Sequence, residues 1–535
     1  MKSKAPFTVP RTLRMALVAI AAFALVLPCS GAAPQPTRIE GTDGHASAVA
    51  QSLQRLYGAE QPQLFWSDPG QANVALDLLR TAPAHGLDRS HYDVDALSRR
   101  HAQMQPADAE GFDKALSQAM LRFLTDLHFG RVKPDFQLSP SEQRLQQFDV
   151  VEHLRQALAQ QRLAEAVAAA APTIPLYKRV QATLQQYRQL AAQAPAWSAP
   201  PGLPADGKLI AGNTYPGLHL LRQRLQLLGD LDGDEASLDR PSDELKLAIK
   251  RFQSRHAIAE TGVPGRETVA ALNVPLGHRV RQLELTLERL RWMPPLRPGR
   301  IIVVNVAAYR LWAFDTAAGA TGEPFDMRVI VGKAARTQTP LFIGQMSHLE
   351  FNPYWNVPRS IAVGEIAPKL ARNPAYLAQN QMELVSQAGQ VVDGTPAAAA
   401  AGLRNGTLRV RQRPGAHNVL GAVKFAMPNP MSIFLHSTSA KELFGKSRRD
   451  LSHGCIRVER PAQLAGFVLG DQPQWSAEKI DAAMAPGATR TVRLGQVIPV
   501  VLFYATAATD RAGRALFADD IYRRDDKLAQ ALKAP

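Results

Sequence analysis

The sequence predicts a multidomain α+β protein, with a helical N-terminal region, a compact three-helix module and a C-terminal β-sandwich interrupted by an insertion. Three observations predict it. The 535 residues suffice for several full-sized cores. Apolar residues recur at three- and four-residue spacing through 38–198 and again through 213–276. From residue 300 the pattern changes to short β-branched and aromatic runs separated by turns rich in Gly, Thr and Asp. Hydrophobic residues make up 46% and charged residues 20% of the chain, which excludes general disorder.

Residues 1–33 read as a secretory signal. Lys2, Lys4, Arg11 and Arg14 form a positive start, 15–27 is an uninterrupted apolar run too short for a comfortable membrane span, and 30–33 supplies small residues for cleavage. Pro28 before Cys29 argues against a lipoprotein signal. The expected setting is the periplasm, with a membrane anchor only if the segment is uncleaved. The formal net charge of +15 is spread along the chain. No zinc finger, RNA-binding aromatic motif or basic arm accompanies it, so no nucleic-acid partner is expected.

Residues 38–198 read as helices around an apolar core. Gly86 and Gly130 look like helix stops, Phe65 and Trp66 like core, and the Ala-rich 157–171 is helical by propensity. No catalytic constellation occurs there. A Pro-, Ala- and Gly-rich linker covers 199–212. In 213–276, Leu218, Leu220, Leu221, Leu225 and Leu228 line one helix and Leu245, Ile249 and Phe252 a second, and a turn at Thr261, Gly262 and Gly265 opens a third. Residues 277–299 predict a connecting amphipathic helix, and 300–505 the β domain. Inside it, about 353–407 breaks the strand pattern, with a helix over 361–377 and a soft Ala/Gly-rich loop over 391–401. So long an interruption of a compact domain is a candidate lid. Residues 506–535 read as a C-terminal tail.

Two cysteines occur in the chain. With Cys29 removed, the single remaining thiol, Cys455, has no internal disulfide partner. It is a buried inert thiol, a metal ligand or a nucleophile. Its neighbourhood favours the nucleophile. An apolar run over 433–435 ends at His436, a basic loop follows, and Ser452-His453-Gly454-Cys455 leads into the alternating 456–458. An imidazole on an adjacent strand end is the partner a thiol needs, and basic neighbours would favour the thiolate.

His436, the spacer 437–451, then Ser452-His453-Gly454-Cys455, an apolar residue and Arg457 resemble the active-site signature of the L,D-transpeptidases, the YkuD-domain family, in its large YcbB-like branch. The N-terminal region is similar to that branch's scaffold domain. The three-helix module resembles a peptidoglycan-binding domain, and the insertion resembles a capping subdomain. The resemblance implies cysteine acyl transfer on peptidoglycan stem peptides, as donor and acceptor, giving 3-3 cross-links, with no cofactor and with carbapenem sensitivity. Contacts with other cell-wall synthesis proteins would fit this setting.

Within that reading Cys455 is the nucleophile and His436 its base. Ser452, His453 and Gly454 shape the loop, orient the imidazole or offer backbone N–H groups to an oxyanion. Arg457 binds a stem carboxylate or makes a structural ion pair. Three alternatives stay open: hydrolysis of the same thioester by a carboxypeptidase or amidase, zinc held by His436, His453 and Cys455, and a non-catalytic wall-binding protein.

Overall fold

The computed structural model describes residues 43–58, 64–136, 147–193, 217–232, 242–295, 297–320, 323–510 and 512–533. The expected signal segment and the linker at 199–212 lie outside these residues. No helix among the described residues is long and apolar enough to cross a membrane.

Among the described residues the N-terminal region holds the α-helices α1 (Asp43–Tyr57), α2 (Pro69–Arg80), α3 (Val94–Ala102), α4 (Ala109–Phe129), α5 (Val150–Ala159), α6 (Leu163–Ala170) and α7 (Pro175–Gln193). Helix α2 shows why they form. Asp68 caps it by accepting the Gly70 N–H at 2.9 Å, Pro69 occupies the first turn, and Ala72, Ala75, Leu76 and Leu79 bury one stripe. Gly86 closes a 3₁₀ turn in the left-handed region, as expected. Gly130 likewise ends α4 at a positive φ of +79°, and a close contact adds to the need for glycine. A Cβ there would stand 2.6 Å from Glu288 Oε1, whose carboxylate accepts the Arg131 and Val132 N–H groups. The Ala-rich stretch is two helices, α5 and α6, because Gln161 takes a positive φ between them. Trp66 is core, its Nε1 donating to Ser117 Oγ at 2.8 Å.

The module follows as α8 (Leu218–Leu227), α9 (Asp243–Arg255) and α10 (Arg266–Leu272), around Leu221, Leu225, Ile249, Phe252 and Leu272. Helix α11 (Leu276–Arg291) differs from the amphipathic connector expected. Arg279, Gln282, Glu288, Arg289 and Arg291 are buried along with its leucines. It is a central strut, and its charged side chains pair with several elements, although Nε of Arg289 and of Arg291 has no hydrogen-bond partner among the described residues. Glu288 takes Arg291, Arg289 pairs with Asp525, and Gln282 donates to the Ala518 carbonyl. Helices α7 and α11 share one core with the β domain, through Tyr177, Leu184, Leu283 and Leu287 against Ile302, Val304 and Leu502.

The β domain is built on β1 (Arg300–Asn305), β2 (Arg310–Asp315), β3 (Phe325–Gly332) and β4 (Phe342–Phe351). The insertion then contributes β5 (Trp355–Asn356), α12 (Arg359–Ile361), a π-helical segment (Ala362–Ile366), α13 (Ala367–Arg372), α14 (Tyr376–Gln379), β6 (Met382–Ser386), α15 (Pro396–Asn405) and β7 (Leu408–Gln412). The main sheet resumes with β8 (Val423–Ala426), β9 (Leu435–His436), β10 (Asp450–Ser452) and β11 (Ile456–Val458). Helices α16 (Pro461–Val468) and α17 (Ala477–Met484) lead to the long β12 (Arg490–Phe503). The order is β10-β3-β11-β9-β8-β4-β12-β1-β2, and β3 also pairs with β2. The layers of the expected sandwich are thus one sheet curled back on itself around a single core.

Two segments differ from expectation. The soft loop over 391–401 holds the start of α15, which Thr395 caps and Pro396 opens. The tail folds as β13 (Ala507–Thr509), β14 (Ala515–Phe517) and α18 (Arg524–Ala531), tied inward by the Arg524–Asp135 and Arg289–Asp525 pairs. The insertion has a core of its own, including Ile366, Leu370, Leu384 and Leu403, and leaves the main sheet between paired ends of β4 and β8.

Candidate active site

The site forms where three short strands meet. Strand β9 lies between β8 and β11, with Lys424 opposite His436 on one side and Arg457 opposite His436 on the other. Paired residues share a face, so Lys424, His436 and Arg457 form a row across the sheet, while Leu435 and Ile456 point into the core. Glu350 extends the row on β4 and holds Lys424 at 2.8 Å. Cys455 stands at the mouth of β11, two residues before Arg457. The Ile456 N–H donates to the Phe434 carbonyl at 3.1 Å, and the half-buried Cys455 Sγ lies 3.6 Å from the Ser432 carbonyl.

The turn that presents the thiol is tied internally. Ser452 Oγ donates to the Cys455 carbonyl at 2.6 Å and accepts the Gly454 N–H at 3.1 Å. Gly454 has φ +115°, a conformation that L side chains rarely adopt. Thr339 Oγ1 donates to its carbonyl at 2.8 Å. The Gly454 amide, expected among oxyanion donors, is therefore already used. His453 does not orient His436 either. Its Nε2 lies 2.6 Å from Glu365 Oε1 on the π-helical segment of the insertion.

His436 is buried, and its Nδ1 is 2.6 Å from the Ser437 carbonyl. A carbonyl only accepts, so Nδ1 carries the proton and the lone pair remains on Nε2. Burial, with the nearby Arg457 charge, lowers its pKa to about 3. Burial pushes the Cys455 thiol up to about 11, outweighing the pull of Lys424 and Arg457. The expected thiolate is thus replaced by a neutral thiol beside a neutral base. Alkylation of Cys455 by iodoacetamide should accordingly keep rising through about pH 10, because the thiolate is the reacting species. A plateau by about pH 8 in the rate profile would contradict this.

Arg457 forms no ion pair among the described residues, and its buried Nε has no hydrogen-bond partner there. A structural salt bridge does not account for it. A planar donor beside the thiol suits a carboxylate. Among the described residues, no three His, Cys, Asp or Glu side chains gather as a metal-ligating set, His436, His453 and Cys455 included.

Several supporting residues carry no local sequence signal. Ser437 Oγ accepts the Val423 N–H at 3.1 Å and donates to the Leu420 carbonyl at 3.0 Å, locking β8 to β9. Tyr522, in the segment read as a tail, donates to the Gly332 carbonyl at 2.5 Å and accepts the Thr339 N–H at 3.1 Å. It thereby braces the loop beneath Gly454. Asn429 is the exception, since Pro428-Asn429-Pro430 signals a turn. Its Oδ1 accepts the Met431 and Ile433 N–H groups, each at 3.1 Å.

Residues 299–497, which contain both Cys455 and His436, match the L,D-transpeptidase catalytic domain (YkuD). The chain carries a YkuD-type L,D-transpeptidase domain. Residues 51–184 match a "Scaffold domain" and 214–272 a "Putative peptidoglycan binding domain", so this L,D-transpeptidase domain has the architecture of the YcbB-like branch. A Haemophilus influenzae protein described as "Putative L,D-transpeptidase" is 31% identical over 248 residues, 46% of this chain and 49% of that protein. The chain thus spans about half the length of that curated relative. An L,D-transpeptidase (Yku) from Stackebrandtia nassauensis aligns with 54% of this chain and 90% of its own at 13% identity and a TM-score of 0.24, too remote for structural inference.

Proposed function

We propose that this protein is a periplasmic peptidoglycan L,D-transpeptidase that forms 3-3 cross-links through a cysteine thioester and is acylated by carbapenems. What supports the reading is that His436 on β9 and Cys455, at the mouth of the hydrogen-bonded neighbour β11, lie within the matched catalytic domain. Cys455 Sγ attacks the carbonyl of the L,D bond in a tetrapeptide stem. His436 Nε2 takes the thiol proton and passes it to the departing amine, so the C–N bond breaks and the terminal D-residue leaves. An amine at the third position of a second stem then attacks the thioester, gives its proton to His436 and restores the thiol. Arg457 holds a stem carboxylate, and the amides of His453 and Cys455 face the oxyanion.

Product masses test this. Purified tetrapeptide muropeptide should yield dimers lacking one terminal D-residue. Tripeptide monomer alone would mean that water resolves the thioester and that the hydrolase reading holds.

A further inference from the structure

Among the described residues, the insertion meets the active-site turn through a hydrogen bond between Glu365 and His453, away from its own roots. Its roots are the paired ends of β4 and β8, and its core is separate from that of the main sheet. A body packed separately and joined at two strand ends can swing as a unit. His453 of the thiol-bearing turn, two residues before Cys455, meets Glu365 at 2.6 Å. Glu365 projects from the π-helical stretch Ala362–Ile366, whose Ala362 and Ile366 are buried in the insertion's core. Such stretches recur at functional sites. Burial opposes the Glu365 charge, yet the hydrogen bond and charge of His453, with Lys369 and Lys333, pull its pKa below the usual carboxylate value.

We propose that Glu365 is a positioning residue that latches the insertion onto His453, holding it over the thiol and setting how readily large reactants reach Cys455. The inference rests on Cys455 being the reacting group, and its test needs no transpeptidation. Both side chains of the pair are partly exposed, at 35% for His453 and 45% for Glu365. Removing Glu365 therefore spares the cores and shifts only the open–closed balance.

The experiment compares alkylation of Cys455 by iodoacetamide and by a polyethylene-glycol maleimide, with Cys29 replaced by Ser throughout. In Glu365→Ala the maleimide rate should rise about two- to fivefold relative to iodoacetamide, the scale of an exposed ion pair acting on a two-state equilibrium. Glu365→Gln, which keeps a hydrogen-bond acceptor, should fall between Glu365→Ala and wild type. Hydrogen exchange of the amides in 359–372 should speed up in parallel. A maleimide-to-iodoacetamide ratio unchanged in Glu365→Ala overturns the latch, as does an equal rise with both reagents, which would mean altered thiol chemistry. Either result leaves the cross-linking assay free to stand or fall separately.

Discussion

Wild-type protein incubated with a carbapenem should gain one stoichiometric adduct, and Cys455→Ala none, by intact-mass spectrometry. The effect should be complete in a background with Cys29 replaced by Ser, because Cys455 is then the one thiol in the sequence. His436→Ala should acylate about 10²–10⁴-fold more slowly, the range for a positioned general base. The protonation states set that expectation. With the thiol at about 11 and the imidazole at about 3, neither is ionised at neutral pH. The proton must move during the reaction, so a missing base is felt in full. A preformed ion pair would put the midpoint of acylation near the usual thiol range or below. An adduct on Cys455→Ala, or a folded wild type that takes up no drug, would remove the thiol from the mechanism.

The largest expected loss of stability comes from Asp230→Ala. Arg255 grips the Asp230 carboxylate with Nε, at 2.8 Å, and with Nη2, while Nη1 reaches the Ala515 carbonyl of β14. The pair's side chains are 5% and 0% exposed. Removing the acid strands a buried guanidinium, which costs about 3–5 kcal/mol. The double variant Arg255→Met/Asp230→Leu should recover most of that, because two apolar side chains leave no charge to desolvate. Urea unfolding followed by limited proteolysis between α8 and α10 would read both. A loss below about 1 kcal/mol would mean that the module does not depend on this pair.

Much of the site is legible in the sequence because it is local. His436, Ser452, Gly454, Cys455 and Arg457 lie within one stretch, and Gly454 takes a conformation that glycine alone adopts readily. What could not be read is what folding brings from elsewhere. Glu365 meets His453 across 88 residues and Tyr522 reaches Gly332 across 190. The sequence points the thiol's shift in the wrong direction for the same reason, since basic neighbours are visible in sequence and burial is not. Propensity failed where composition was bland. The alanine run at 397–401 shows no stripe, so α15 read as loop, and three-residue strands such as β13 and β14 are too short to show alternation. Helix α11 has apolar spacing, but nothing in the sequence shows that Arg279, Arg289, Arg291 and Glu288 are buried too.

The joint between module and catalytic domain has a consequence for reach. Ser447, in the loop leading to Cys455, donates to Glu267 of the module at 2.5 Å and accepts the Ala259 N–H at 3.0 Å. His256 and Arg279 lie against Phe517 of β14. A module on a slack tether samples every spacing and raises local concentration for all of them. A clamped one acts as a ruler. Under the proposed function, a wall strand held by α8–α10 offers Cys455 only those stems whose distance along the strand matches the fixed offset, and every other stem is invisible to the enzyme however tightly the strand is bound.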